Sequence, residues 1–269
     1  MSAPEDPFRR HRADVEASIR SGDPAAIKQS YRDLGSYLHD AYGDGDQVPP
    51  QLSWPETASV VAGAIPVRAV RILDAGCGPN PATAIAVHRP DRLVIALDIG
   101  FGTVCLACAT GRARDCNLAG VVGDVEHLPL RRGSLDAAIC DDTIEHVPDD
   151  RAVARELARC LRPGGVVVVA TPNRWGLQVL ARRMKDTMRG RRLPQHAYFA
   201  TSSHLREYTP AELGRVLAED FVVDRFLTVG WGASSLARRI ASRVVRGGPL
   251  HTFTRVVVAL GTPRLRSGA

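Results

Sequence analysis

From residue 70 onward the chain alternates short apolar runs with helix-length stretches, and this alternation limits the fold more than any other feature. The runs are VRILDAG (70–76), LVIALDI (93–99), AGVVGD (119–124), LDAAICD (135–141) and GVVVVATP (165–172). Short, nearly continuous apolar runs of this kind are what strands covered on both faces require. Helical stretches fill the gaps, including one over about 149–161 that stops at Arg162-Pro163-Gly164-Gly165, where the breakers turn the chain into the next strand. A helix over about 210–219 begins with Thr209 as N-cap and Pro210 in the first helical position. Two late strands, FVVDRFLTV (221–229) and FTRVVVAL (253–260), complete the set. The expected fold is α/β: a doubly wound, Rossmann-like seven-stranded sheet, five strands parallel plus a C-terminal β pair, with helices on both faces.

Upstream, residues 1–12 read as a mixed-charge arm, 13–42 as one helix ending in the breaker-rich GDGDQVPPQ, and 54–65 as a second helix. The expected organisation is an N-terminal arm and helical cover over 1–69, then one domain over 70–269 with inserted cap segments at 174–206 and 230–252. A length of 269 residues suits a single large α/β core. The N-terminal MSAPEDPFRRHR lacks the apolar stretch of a secretory signal, and no apolar run nears the roughly 18–20 residues of a bilayer span. A cytoplasmic location is expected. Cys105 and Cys108 form a CxxC followed by Cys116, but no second pair or nearby His pair completes a tetrahedral set, so free thiols and no metal are expected.

The first run leads into Asp74-Ala75-Gly76-Cys77-Gly78-Pro79-Asn80. A Gly-x-Gly turn after a strand lets a ligand approach the backbone, and a helix N-terminus follows it. Nicotinamide-binding folds share that turn, but two details argue against a dinucleotide. Position 81, where a third glycine would admit a pyrophosphate, is proline. Asp74 at the strand end would repel a pyrophosphate and accept instead from an ammonium group. Asp98 ends the second run, where a carboxylate can accept both hydroxyls of a ribose, and Asp124 ends the third, within reach of an adenine amino group. Three carboxylates closing three successive strands mark the carboxyl edge of the sheet as the site.

These residues carry a resemblance. ILDAGCG (72–78), ALD (96–98), GDVEHLPL (123–130), LDAAICDDTIEHV (135–147), LARCLRPGGVVVVATPN (157–173) and REYTPAELGRVL (206–217) are similar to the class I S-adenosylmethionine-dependent methyltransferases, especially their ubiquinone- and menaquinone-biosynthesis branch. The likeness covers about 70–173 closely and 204–229 loosely, and leaves out 1–69 and two basic segments. It implies S-adenosylmethionine as cofactor, with Asp74, Gly76 and Gly78 around the methionine moiety and Asp98 on the ribose with Ile99 beside it. It places Asp124 on the adenine, Val125 offering a backbone amide, and Asp141 beside the sulfonium. Pro79-Asn80-Pro81 departs from the small, threonine-containing turn usual after the second glycine.

Methyl transfer from an activated donor asks for in-line positioning, and for a base when the nucleophile holds a proton. His146, just after the fourth strand, is the first candidate, although a histidine there can instead orient a loop. His204 and Tyr208 are rivals, and His196 is a weaker one. No Asn/Asp-Pro-Pro-aromatic loop follows the fourth strand, and Cys140 has no neighbouring proline, which argues against methylation of DNA bases.

The formal charge of +6 is unevenly spread: 174–206 carries eight basic residues and one acid, and 230–269 carries seven and none. Residues 174–192 and 233–246 read as basic amphipathic helices. They suit packing on the core with solvated arginines, or a cationic rim around an anionic or lipophilic small-molecule acceptor. Contact with a membrane surface or an acidic carrier protein would also use them. Few stacking aromatics and no RNA-binding module argue against nucleic acid. The expected function is methylation at O, N or C of a quinone, lipid, polyketide or other bacterial metabolite. The alternatives are a protein of this fold that binds the cofactor without transfer, as a cyclase or binding partner, and an RNA methyltransferase.

Overall fold

In the computed structural model, which describes residues 7–42, 55–175, 184, 188, 204–229 and 256–264, seven strands form one sheet. They are β1 (Arg71–Ala75), β2 (Leu93–Asp98), β3 (Ala119–Val122), β4 (Leu135–Asp141), β5 (Leu161–Pro172), β6 (Phe221–Val229) and β7 (Val256–Pro263), in the order β3-β2-β1-β4-β5-β7-β6. The first five are mutually parallel, and β7 is antiparallel between β5 and β6. The expected seven-stranded architecture is therefore the observed one. The helices are α1 (Pro7–Ser21), α2 (Pro24–Tyr42), α3 (Pro55–Ala64), α4 (Ala82–Val87), α5 (Phe101–Arg112), α6 (Asp150–Cys160) and α7 (Pro210–Leu217), with a 3-10 turn at Ile144–His146.

Strand order reverses between β1 and β4, and this switch opens a crevice at the carboxyl edge. Successive residues of each strand point to opposite faces, so β1 gives Leu73 and Ala75 to one apolar layer and Ile72 to the other. Leu157, Leu213 and Phe221 cover the first layer, and Val61, Val87 and Ala107 the second. Among the described residues no helix is long and apolar enough to cross a membrane. Of the helices expected at 174–192 and 233–246, the described residues include only Arg174 and Trp175, which form a turn rather than a helix start, and Met184 and Met188, which are helical.

The N-terminal segment differs from expectation in two ways. Helix α1 starts at Pro7, inside the stretch read as an arm, and the single helix expected over 13–42 is two. The break is local chemistry. Gly22 takes a left-handed φ of +67°, the Asp23 carboxylate accepts from the Ala25 amide at 2.9 Å, and Pro24 opens α2. The resulting hairpin lies on the sheet domain through glycine. Gly35 of α2 meets Gly100 and Gly102 at the start of α5, and a Cβ on Gly102 would overlap the Gly35 carbonyl oxygen.

Candidate functional site

The loop after β1 is pinned before any ligand is considered. Gly76 and Gly78 both take left-handed conformations, with φ of +76° and +60°. The amides of Gly76 and Cys77 donate to the Leu97 carbonyl at 2.8 and 2.9 Å, and a Cβ on Gly76 would collide with the Thr143 side chain. Asp98 braces the same loop: its Oδ2 accepts from the Gly78 amide at 3.2 Å, its Oδ1 from the Gly100 amide at 3.0 Å, and burial raises its carboxyl.

Asp74 is buried at the end of β1. Its Oδ2 accepts from Thr83 Oγ1 at 2.8 Å and the Ala84 amide at 3.1 Å, so it caps the first turn of α4. The helix start that the sequence leaves open to an anion is thus met by the chain's own carboxylate. Burial pushes Asp74 up to about 6 against the pull of those two hydrogen bonds. Asp141, at the end of β4, is also raised, by burial first and then by the neighbouring Asp142 and Asp74. Asp142 takes a left-handed φ of +48°, and its amide donates to the Ala170 carbonyl at 3.0 Å.

Two adjoining cavities follow from this arrangement. The larger, about 460 Å³, has Gly76, Gly78, Asp98, Ile99, Asp124 and Val125 on the sheet side. Its opposite wall is His11, Ile27, Lys28, Tyr31 and Leu34 from the hairpin. The smaller, about 160 Å³, shares Gly76, Gly78, Pro79 and Asp142 with it and adds Asp74, Asn80, Thr83 and Asp141. Inside the smaller one, Asn80 Oδ1 and Asp141 Oδ1 are buried acceptors with no hydrogen-bond donor among the described residues. Unmet buried acceptors call for a ligand rich in N–H donors or positive charge. A nucleoside in the larger cavity with an amino-acid end in the smaller satisfies both, so the residues fit S-adenosylmethionine.

The structure brings the cofactor candidates of the sequence to these two cavities, Asp124 with an unexpected partner. Lys28 Nζ donates to Asp124 Oδ2 and to Glu126 Oε2, both at 2.7 Å, and the Glu126 amide donates to Asp124 Oδ1 at 2.9 Å. Burial raises the Asp124 carboxyl, but Lys28 and the amide outweigh it and the net shift is downward. The catalytic candidates separate. His146 lines the larger cavity, its Nδ1 2.7 Å from the Tyr31 hydroxyl. His204 packs edge-on behind His146, ring centroids 4.8 Å apart. Tyr208 is not among the residues lining either cavity: it is buried, and its hydroxyl donates to Asp150 Oδ2 at 2.8 Å, tying the strand exit to α6.

Glu145 is the residue that sequence reasoning missed most. It is fully buried, its Oε2 accepts from Thr171 Oγ1 at 3.0 Å, and its Oε1 has no hydrogen-bond partner among the described residues. Donor atoms of Glu145, His146 and His204 lie within 4.8 Å of one another, a carboxylate and two imidazoles of the kind that hold divalent cations. The signal was available as an acid-histidine pair in Glu145-His146, but nothing local announced His204 as its neighbour. All six cysteines, the CxxC pair included, are free thiols.

Residues 73–169 match the methyltransferase-domain family, and the strand order, glycine turn and paired cavities fit that match. Over those residues the chain is similar to a methyltransferase domain, and the residues lining the two cavities fit S-adenosylmethionine. The sequence is also similar, over about half of its length, to ubiquinone-type relatives. The chain is 33% identical over 132 residues to the ubiquinone biosynthesis O-methyltransferase of Xanthomonas oryzae pv. oryzae (strain PXO99A), across 49% of this chain and 55% of that protein. The chain thus spans about half the length of the curated relatives it matches. Among solved structures, the putative methyltransferase in complex with the Haloferax volcanii Trm112 activator is similar with a TM-score of 0.58 and 17% identity, over 89% of this chain and 100% of that one. The [4+2]-cyclase SpnF is similar with a TM-score of 0.56 and 16% identity, over 89% and 97%. Both likenesses concern the fold.

Proposed function

We propose that this protein methylates a small-molecule acceptor, at oxygen in the first instance, with the N-terminal hairpin (within 1–69) serving as the acceptor-side cover. The observation that carries the reading is the wall opposite the glycine loop. His11, Ile27, Tyr31 and Leu34 enclose a mostly apolar space that opens onto His146. The named activity of the ubiquinone-type relatives supports oxygen as the target atom. Segments 174–206 and 230–252 would extend the cover as inserted caps, their arginines forming a cationic rim or meeting a membrane surface or carrier protein.

When bound, S-adenosylmethionine supplies a methyl group already activated on a positively charged sulfur. The protein's part is placement. Gly76 and Gly78 let the ligand approach the backbone, and Asp98 has lone pairs left for ribose hydroxyls after accepting one amide on each oxygen. Asp141 and Asn80 offer unmet acceptors to the amino end. The hairpin covers one side of the larger cavity with Ile27, Tyr31 and Leu34. His146, on that cavity's wall, is positioned to take the acceptor's proton.

A second reading is favoured by Glu145 Oε1 and His204 Nδ1, which make no hydrogen bond among the described residues and face charge only at ion-pair distance, from His146 at 4.0 Å and Glu207 at 3.6 Å. With His146 they would hold a divalent cation, which lowers the pKa of a hydroxyl bound to it. The test is formation of S-adenosylhomocysteine from labelled donor with a panel of catechols and quinols, with and without chelator. Labelled O-methyl product carries the proposal, and loss of turnover in chelator selects the cation reading. Tight donor binding with no turnover on any acceptor would favour a binding or cyclase role. If His146→Ala keeps full turnover, His146 is neither base nor ligand; as base, its loss should cost about 10²–10⁴ in kcat.

A further inference from the structure

The charges of this chain are sorted by the ends of its strands. The carboxyl edge of the sheet, where both cavities lie, carries Asp74, Asp98, Asp124 and Asp141. The amino edge carries arginine. Arg68 and Arg71 stand at the start of β1, Arg112 and Arg114 lead into β3, and Arg131 and Arg132 lead into β4, all six exposed. Two acids of this edge are already engaged: Asp91 pairs with Arg89, and Asp136 pairs with Arg162 while accepting from the Val70 and Arg71 amides. Neighbouring strands lie about 4.8 Å apart, so the row from β3 through β2 and β1 to β4 spans roughly 14 Å.

Aliphatic side chains that the core does not use stand in the middle of this row. Val67, Val70 and Leu93 are 78%, 46% and 48% exposed. They are neighbours: Leu93 is in register with Arg71, and its amide donates to the Val70 carbonyl at 2.8 Å. Val67 lies in the Pro66–Ala69 turn, closed by the Ala69 amide on the Pro66 carbonyl at 3.0 Å. That turn is braced by two further guanidinium groups, Arg89 Nη1 donating to the Val67 carbonyl at 3.2 Å and Arg92 Nη2 to the Pro66 carbonyl at 3.1 Å. A valine held this firmly in water does nothing for the core. Exposed aliphatics set among cations match a surface that is anionic outside and apolar beneath.

We propose that the amino edge of the sheet docks on an anionic lipid bilayer, its arginines meeting headgroup phosphates while Val67, Val70 and Leu93 enter the interface. A nucleic acid would call for rings to stack on its bases, and none of the exposed large apolar residues at this edge is aromatic. The surface is also separate from the two basic segments outside the described residues. Those join the sheet at its other edge, where Val256 pairs with both Pro172 and Val229. Docked this way, the cavities sit a strand's length from the lipid, roughly 20 Å, and donor and acceptor reach them from the aqueous side.

The test is co-sedimentation of the full chain with phosphatidylcholine vesicles holding about 30% phosphatidylglycerol. Vesicles of phosphatidylcholine alone, polyuridylate and poly-L-glutamate are the comparison probes. The expected result is binding to the anionic vesicles alone, released as ionic strength rises. Arg68→Glu combined with Arg131→Glu should weaken it by at least about 25-fold, since each arginine near such a surface contributes about fivefold. Val67→Ser should weaken it several-fold with the salt dependence kept. Melting temperature and S-adenosylmethionine affinity should stay unchanged in both variants, because Val67, Arg68 and Arg131 line neither cavity and make no ion pair among the described residues. Absence of vesicle binding, or full binding in either variant, would overturn the proposal. So would tighter binding to polyuridylate or poly-L-glutamate that the same variants abolish, which would assign the edge to a nucleic acid or an acidic protein. Donor affinity, read separately, leaves the cofactor reading to stand or fall by itself.

Discussion

The ammonium group of Lys28 lies 2.7 Å from Asp124 Oδ2 and 2.7 Å from Glu126 Oε2, so one cation of the N-terminal hairpin serves two carboxylates of the sheet domain. The Lys28 side chain is 18% exposed and that of Glu126 7%, so the pairing is shielded from solvent and salt more than a surface ion pair. Lys28→Met leaves two neighbouring acids without their counter-charge at the edge of the larger cavity. The expected loss is about 1–3 kcal/mol in stability. Donor affinity should fall with it, while amide exchange over 24–42 speeds up. Unchanged exchange and affinity would show that the hairpin holds without this contact.

The glycine seam between α2 and α5 makes a sharper test of the same attachment. Alanine at Gly102 would drive its Cβ into the Gly35 backbone, which cannot yield as a flexible side chain can. Gly102→Ala should lower stability by about 2 kcal/mol or more and weaken donor binding by displacing the wall of the cavity. Gly63→Ala is the matched control, because a Cβ there meets nothing within 4 Å, and it should be neutral or stabilising by up to about 1 kcal/mol. Thermal melts and calorimetry on the two variants decide the matter.

Much of this fold was legible because strands buried on both faces write themselves as uninterrupted apolar runs, and because Gly76, Gly78 and the strand-end aspartates follow those runs directly. The larger cavity's far wall was not. Ile27, Lys28, Tyr31 and Leu34 share one face of α2, and their spacing reads as ordinary helix amphipathicity; that this face meets Asp124 and His146 depends on contacts about a hundred residues away in sequence. The break at Gly22-Asp23-Pro24 was readable from its cap chemistry, but a continuous helical pattern on either side masked it. Tyr208 and His204 show the limit at the site itself. Both follow β5 in sequence, yet one side chain turns into the core toward α6 while the other packs against His146.

That division predicts opposite phenotypes for two tyrosines. Tyr208→Phe removes the bond to Asp150 and should cost about 1–2 kcal/mol of stability with little change in kcat. Tyr31→Phe, which removes the hydroxyl 2.7 Å from His146 Nδ1, should depress turnover more than stability. Turnover and melting temperature measured on both variants give the comparison. A kcat loss in Tyr208→Phe at unchanged stability would return Tyr208 to the active site.

Asp74 predicts a trade between stability and binding. Its folded carboxyl titrates near 6 against an ordinary 3.8, so the folded state holds the extra proton. The ligand-free protein therefore keeps this contribution fully below about pH 3.8 and loses it as pH rises through about 6. Both hydrogen bonds, from Thr83 and Ala84, fall on one oxygen, which an asparagine carbonyl can replace. Asp74→Asn should thus stabilise the ligand-free protein at pH 8 by about 1–3 kcal/mol. It should also flatten the dependence between pH 4 and 7 and weaken the donor. Denaturant melts across that range read the first two effects, and a variant less stable at pH 8 would refute the assignment.

The hairpin that carries Lys28 and Tyr31 lies wholly upstream of the residues that match the methyltransferase family, and it rests on the domain through glycines and one bridging cation. The outer wall of the larger cavity and the strand-end aspartates are thereby written in separate stretches of the gene. A lineage could exchange or remodel the first 42 residues, and with them the outer wall of the larger cavity, while every strand-end aspartate stays in place. The same chain architecture is open to laboratory recombination: hairpins grafted upstream of an unchanged domain, with Lys28 and Gly35 kept, would vary the outer wall of the larger cavity while the glycine loop and the strand-end aspartates stay as they are.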